Sequence, residues 1–139
     1  MFIEPYKVPI SIKGIVFENG KVWLRKNQRD EWELPGGKMD AGEQPKETCK
    51  REIEEELGFN VEVGSIIQAY LYTIHTSKDE SHGVLVITYI CELKEKIGSF
   101  ELQWEEGKSE FETFSLEEVA GLNMPEFYKE AIKLAWDKK

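Results

Sequence analysis

Six consecutive residues, Arg51-Glu52-Ile53-Glu54-Glu55-Glu56, carry the densest chemistry in the sequence. They lie in a stretch with helical punctuation: Pro45 suits a first turn, where its missing N–H costs little, and Gly58 suits a left-handed stop. On a helix turning about 100° per residue, Glu52, Glu55 and Glu56 share one arc while Glu54 points away. Cys49, Ile53 and Leu57 form a narrow apolar stripe beside that arc, so the three carboxylates border a core. Like charges at these spacings repel and destabilise a bare helix. A hard divalent cation with oxygen ligands, Mg²⁺ or Mn²⁺, offsets that cost. A fully solvated glutamate face is the competing reading of the same six residues. Arg51 neutralises part of the cluster, and its rigid fork can orient a carboxylate. Upstream, Pro35-Gly36-Gly37 reads as a tight turn where backbone approaches a ligand. Glu43, with Gly42 before it, stands at the helix start, placed to cap the helix or to reach toward a metal.

The elements that must hold this helix are legible from pattern. Val8 to Phe17 reads as a strand, Glu18-Asn19-Gly20 as an Asn-Gly hairpin turn, and Lys21 to Arg25 as the return strand. Lys26 to Glu31 is a charged loop, and Trp32 to Leu34 is a short extended piece leading into the glycines. The helix runs from Gln44 to Leu57. Val61 to Thr76 is extended, with Gly64 an expected interruption; Lys78 to Gly83 is a polar hairpin loop; Val84 to Leu93 is a strand apolar enough to be covered on both faces. Lys94 to Gly107 reads as irregular and acidic, and Phe111 to Phe114 as a short strand. Ser115, with Glu118 three residues on, makes a capping box for a short helix, and Met124 to Trp136 is a final amphipathic helix. Strands and helices mix without regular βαβ alternation, which predicts an α+β layered sandwich.

Composition bounds the function. The 139 residues fit one domain spanning 1–139, and 40% hydrophobic with 12% aromatic residues is a globular balance. The net charge of −9 argues against gripping a nucleic acid polymer or an anionic membrane surface, since both need a basic footprint. Cys49 and Cys91 lack any zinc-type spacing and read as buried thiols. With no signal-peptide pattern in MFIEPYK and no apolar run near the ~20 residues of a membrane span, the expected location is cytoplasmic.

Gly37, five residues, Glu43, seven residues, then Arg51-Glu52-Ile53, Glu55-Glu56 and Gly58-Phe59 resembles the Nudix box, GX5EX7REUXEEXGU. Every fixed position matches, with Phe59 standing where an aliphatic residue is usual. Trp32-Glu33-Leu34-Pro35-Gly36 and Phe114-Ser115-Leu116-Glu117-Glu118 are similar to the family's flanks. The resemblance implies an α/β/α sandwich around a mixed sheet, and hydrolysis of a nucleoside diphosphate linked to another moiety: a nucleoside triphosphate, ADP-ribose or a nucleotide sugar. By motif position it makes Glu52, Glu55 and Glu56 the Mg²⁺ or Mn²⁺ ligands, with a carbonyl contact from Gly37. Arg51 then orients a glutamate, and Glu43 supports the site. Glu55 or Glu56 would help deprotonate the attacking water, or a downstream glutamate would: Glu105, Glu106, Glu110 or Glu112. Arg25 ends its strand where the family often carries a substrate-contacting arginine; a surface arginine is the alternative. Trp32 is a candidate for stacking on a base, with core packing its alternative. Tyr70 and Tyr72 share a strand face that could line a pocket, while His75 and His82 read as structural or solvent residues. No proline marks the ADP-ribose subclass, and Tyr72 falls too early for the diadenosine-polyphosphate subclass. A non-catalytic Nudix-type domain that senses a nucleotide metabolite is the alternative function. Many relatives are dimers; the aromatic ends (Phe2 and Tyr6; Phe127, Tyr128 and Trp136) would form an interface or close the core.

Overall fold

The computed structural model describes residues 4–75, 81–98 and 110–139. β1 (Ile10–Glu18) and β2 (Lys21–Lys26) form a hairpin whose turn residues Asn19 and Gly20 have φ of 53° and 79°, the paired left-handed conformation that an Asn-Gly turn supplies. β3 (Trp32–Glu33) pairs with β2, and β4 (Gly36–Lys38) pairs with β1 across residues 11–13. α1 (Pro45–Leu57) follows, then the long antiparallel pair β5 (Phe59–His75) and β6 (Ser81–Lys96). β7 (Glu110–Phe114) pairs with β2, and the chain ends in α2 (Leu116–Ala120) and α3 (Glu126–Asp137). β1 runs parallel to β6, whereas the other pairings are antiparallel, so the sheet is mixed.

The alternation of side chains along β1 assigns its two faces. Ile12 and Val16 join Cys49, Ile53 and Leu57 of α1 in one core, with Phe59, Val61, Tyr89 and Cys91. Ile15 joins the other core, under Phe127, Ala131, Ile132 and Ala135 of α3. Helices therefore cover both faces, giving the expected α+β sandwich. Gly14 lets α1 come close, since a Cβ there would lie 3.0 Å from Ile53 Cδ1. Phe127 and Tyr128 are buried on the inner face of α3, and Trp136 meets Phe17 edge-on with centroids 5.3 Å apart, so these aromatics close the core; Tyr6 is exposed, and Phe2 lies outside the described residues.

Two expectations are corrected. Pro35-Gly36-Gly37 is not a free turn: Gly36 and Gly37 open a strand hydrogen-bonded to β1, because φ of 146° at Gly36 brings its backbone against Ile12. Lys94 to Lys96 is not irregular but the end of β6, held by pairing with Phe59 and Asn60. The interruption expected at Gly64 is present as a bulge within a continuous strand, where the register shifts between Val63 and Ile66. The expected Lys78–Gly83 loop lies partly outside the described residues, and β6 already runs from Ser81. α1 begins one residue after Gln44, whose backbone N–H donates to Glu47 Oε1 at 2.8 Å. Among the described residues, no helix is long and apolar enough to cross a membrane.

Candidate functional site

Burial of the Cys49–Ile53–Leu57 stripe fixes the rotation of α1, and that rotation sets Glu52 and Glu56 against β4. The Glu52 carboxyl lies on Gly37 so closely that a Cβ there would sit 2.6 Å from Glu52 Cδ. One turn on, Glu56 Oε1 accepts from the Gly36 backbone N–H at 2.7 Å, and Oε2 accepts from Arg25 Nη1 at 3.1 Å. The Glu56 side chain is only 14% exposed. Burial pushes its carboxyl up to about 7, against the opposing pull of Arg25, the Gly36 N–H and Lys13. Glu55 points outward, 58% exposed, and accepts from Arg51 Nη1 at 3.2 Å. Glu54 is exposed, as its place on the helix predicts.

Arg51 organises the upper end of the site. Its fork grips Glu43 from Nε at 2.6 Å and Nη2 at 3.0 Å, and its Nη1 donates to Glu52 Oε1 at 2.9 Å. Glu43 also accepts from the Asp40 N–H and the Thr48 hydroxyl. The Arg51 guanidinium and those donors hold the Glu43 carboxyl down at about 2. Glu43 is thus an anchor for Arg51, and the cap of α1 belongs to Gln44 and Glu47.

A second charged group beside Glu56 went unnoticed in the sequence. Lys13, on β1 and 6% exposed, puts Nζ 3.9 Å from Glu33 Oε1; Arg25 Nη1 lies 3.7 Å from the same oxygen, and Asn27 Nδ2 donates to Glu33 Oε2 at 3.2 Å. The signal was available: a lysine two residues before Ile15 breaks the apolar pattern of a core-facing strand. Lys13, Asn27, Glu33, Tyr72 and Tyr128 line a cavity of about 130 Å³ that opens beside this group. Arg25 Nε is buried and has no hydrogen-bond partner among the described residues, leaving a donor for an anion.

Other candidates fall elsewhere. Trp32 packs edge-on against Phe114 at 4.7 Å, with Lys26 Nζ over its ring, as core packing requires. Tyr70 and Tyr72 both pack on Phe127. Glu112 is exposed on β7, Glu110 opens β7, and Glu105 and Glu106 lie outside the described residues. The side chains of His75 and His82 are outside them too. Among the described residues, no three carboxylates are gathered closely enough to hold a metal ion as they stand; Arg51 bonds Glu43, Glu52 and Glu55, and Arg25 bonds Glu56. The donor set itself suits a hard cation: carboxylate oxygens only, beside the Gly36–Gly37 backbone.

The NUDIX domain family model matches residues 9–135, nearly the whole chain. The chain belongs to the Nudix family. The chain is 27% identical over 88 residues to a putative ADP-ribose pyrophosphatase of Bacillus subtilis, covering 63% of this chain and 42% of that one. It is 32% identical over 68 residues to an 8-oxo-dGTP diphosphatase of Proteus vulgaris, covering 49% of this chain and 61% of that one. The matches span about half the length of these curated relatives. The crystal structure of a MutT Nudix hydrolase from Burkholderia pseudomallei superposes with a TM-score of 0.74 at 21% identity, covering 93% of this chain and 98% of that one. At that identity the likeness shows the fold.

Proposed function

We propose that this Nudix domain is a divalent-metal-dependent hydrolase that cleaves the phosphoanhydride of a nucleoside diphosphate derivative. One observation carries the reading: Glu52 and Glu56 converge on the Gly36–Gly37 backbone, each held by an arginine. Glu52, Glu55 and Glu56, with the Gly37 carbonyl, would hold Mg²⁺ or Mn²⁺. The metal, when bound, neutralises phosphate charge and lowers the pKa of a water. Arg51 orients Glu52 and Glu55, and Glu43 fixes Arg51 in turn. Arg25 would give up Glu56 to a bound metal, and its Nε–H, unpaired among the described residues, would donate to a phosphate oxygen. Glu55 or Glu56 takes the proton of the attacking water. The cavity lined by Lys13, Asn27 and Tyr72 receives the end of the substrate away from the scissile bond.

The names of the two relatives favour ADP-ribose or an oxidised deoxynucleoside triphosphate as substrate. The test is hydrolysis with Mg²⁺ or Mn²⁺ across ADP-ribose, deoxynucleoside triphosphates including 8-oxo-dGTP, nucleotide sugars and dinucleoside polyphosphates. Cleavage that stops on chelation supports the reading. Tight binding without turnover would instead make the domain a metabolite sensor, and neither binding nor turnover removes both.

A further inference from the structure

Lys13 and Glu33 stand side by side with hydrogen-bonding capacity that neither gives the other. Lys13 shares the side of β1 that carries Ile15, away from α1. Its Nζ is 3.9 Å from Glu33 Oε1, an ion pair too long for a hydrogen bond. Arg25 Nη1, at 3.7 Å from the same oxygen, is also too far to donate. Glu33 Oε1 is thus flanked by two cations and accepts from neither, while Asn27 fixes the carboxylate through Oε2 at 3.2 Å. Lys13 is 6% exposed and the Glu33 side chain 15%, so water serves them poorly. A charged donor and acceptor held this way gain when a ligand completes them. Both line the cavity of about 130 Å³, whose other walls include Tyr72, Val84, Val86 and Tyr128. A cavity of ~150 Å³ accommodates one benzene ring, so this one admits a single flat ring edge-first and not a whole nucleotide. A sugar would press its hydroxyls on Val84, Val86 and the tyrosine rings, and a phosphate would meet the carboxylates of Glu31 and Glu33. A nucleobase fits both the shape and the charge.

We propose, resting on the hydrolase reading above, that Lys13 and Glu33 read the edge of the substrate's base and select guanine. Guanine presents a keto oxygen, a ring N–H and an amino group in that order along one edge. Lys13 Nζ donates to the keto oxygen. Glu33 Oε1 accepts the ring N–H, and the carboxylate keeps lone pairs for the amino group. Partners 3.9 Å apart can fan out around two neighbouring atoms of one ring. Adenine reverses the first two groups: its amino group would meet Lys13, and its bare ring nitrogen would meet Glu33. Donor then faces donor and lone pair faces lone pair, and both buried charges go unpaired. Uracil and thymine match the first two groups but bring a second keto oxygen against Glu33 and Glu31. Oxidation at the far side of guanine leaves this edge unchanged, so the pair separates guanine from adenine and not intact from oxidised guanine.

The test is equilibrium binding of dGMP, dIMP and dAMP by calorimetry, with kcat/KM for the matching triphosphates in Mg²⁺, on the wild type, Glu33→Gln and Lys13→Met. The wild type should favour guanine over adenine by about tenfold or more, with hypoxanthine, which lacks the amino group, between them. Glu33→Gln should cut that preference about tenfold or more, because Gln offers a donor to the ring nitrogen of adenine. Lys13→Met should cut it as well. An ion pair of purely structural value would weaken all three bases alike and leave the ratio unmoved, which overturns the proposal. The wild-type order of the three bases decides the matter even if both variants misfold. A wild type that treats guanine and adenine alike, or binds none of the three monophosphates, overturns the proposal, and turnover of the triphosphates without preference leaves the hydrolase reading standing. Guanine-selective binding with no turnover of any triphosphate upholds the proposal and removes the hydrolase reading.

Discussion

Replacing Glu56 by Gln should remove a specific slope from the pH dependence of stability. The folded Glu56 carboxyl is pushed from 4.5 up to about 7, chiefly by burial. Between those two values the unfolded chain gives up this proton while the folded chain keeps it. Folding therefore binds a proton, and stability falls as pH rises through that window. The displacement of roughly 2.5 pH units corresponds to about 3 kcal/mol, present in full below the lower value and lost above the upper one. Gln is neutral throughout and has no such slope. It presents an amide N–H₂ where Glu56 offered a second acceptor to Arg25, a pH-independent loss of about 1–3 kcal/mol that offsets the whole curve without tilting it. The comparison is thus of slopes, by urea unfolding in chelator from pH 5 to 8. The wild type should lose about 2.5 kcal/mol more than Glu56→Gln over that range, which begins just inside the window. Added Mg²⁺ should reverse the wild-type trend at high pH, because a metal that binds the ionised carboxylate rewards loss of the proton. Parallel curves for the two proteins in chelator would refute the burial argument.

Gly37→Ala should leave the fold nearly intact yet lower hydrolysis about a hundredfold, since the new methyl displaces the flexible end of Glu52; full activity would separate Glu52 from the metal site. Gly36→Ala should instead destabilise by at least ~2 kcal/mol in thermal or urea unfolding, because its Cβ would lie 2.0 Å from the Ile12 carbonyl oxygen, which is backbone and cannot swing away. Arg51→Lys keeps the charge but loses the two-pronged grip on Glu43, and should lower kcat about tenfold or more with little change in melting temperature. Mg²⁺ or Mn²⁺ at a hundred times its dissociation constant should stabilise the wild type by about 2.7 kcal/mol, reversed by chelator and absent in Glu52→Ala.

Much of the fold was legible because local chemistry and packing agree. Asn19-Gly20 specified a turn, the Cys49–Ile53–Leu57 spacing specified the buried face of α1, and Ser115 with Glu118 specified the start of α2, where Ser115 N–H donates to Glu118 Oε1 at 2.9 Å. The misjudged segments are those where pairing with a distant strand overrides local preference. Gly36-Gly37 reads as a turn until β1 lies beside it, and Lys94 to Lys96 reads as irregular until Phe59 and Asn60 pair with it.

The same division holds at the site. Sequence alone singled out the residues proposed to do the chemistry, because helical periodicity puts Glu52, Glu55 and Glu56 on one arc and their spacing from Gly37 and Glu43 matches the Nudix box. Tertiary structure decided how they differ. It buries Glu56 between Gly36 and Arg25, leaves Glu55 outside, and ties Glu52 and Glu43 to Arg51. It also brings Lys13 and Glu33, twenty residues apart in the chain, to the edge of the same site. Spacing along one helix fixes direction only within that helix; dielectric surroundings and partners come from the strands packed against it, and these set each carboxylate's charge and role.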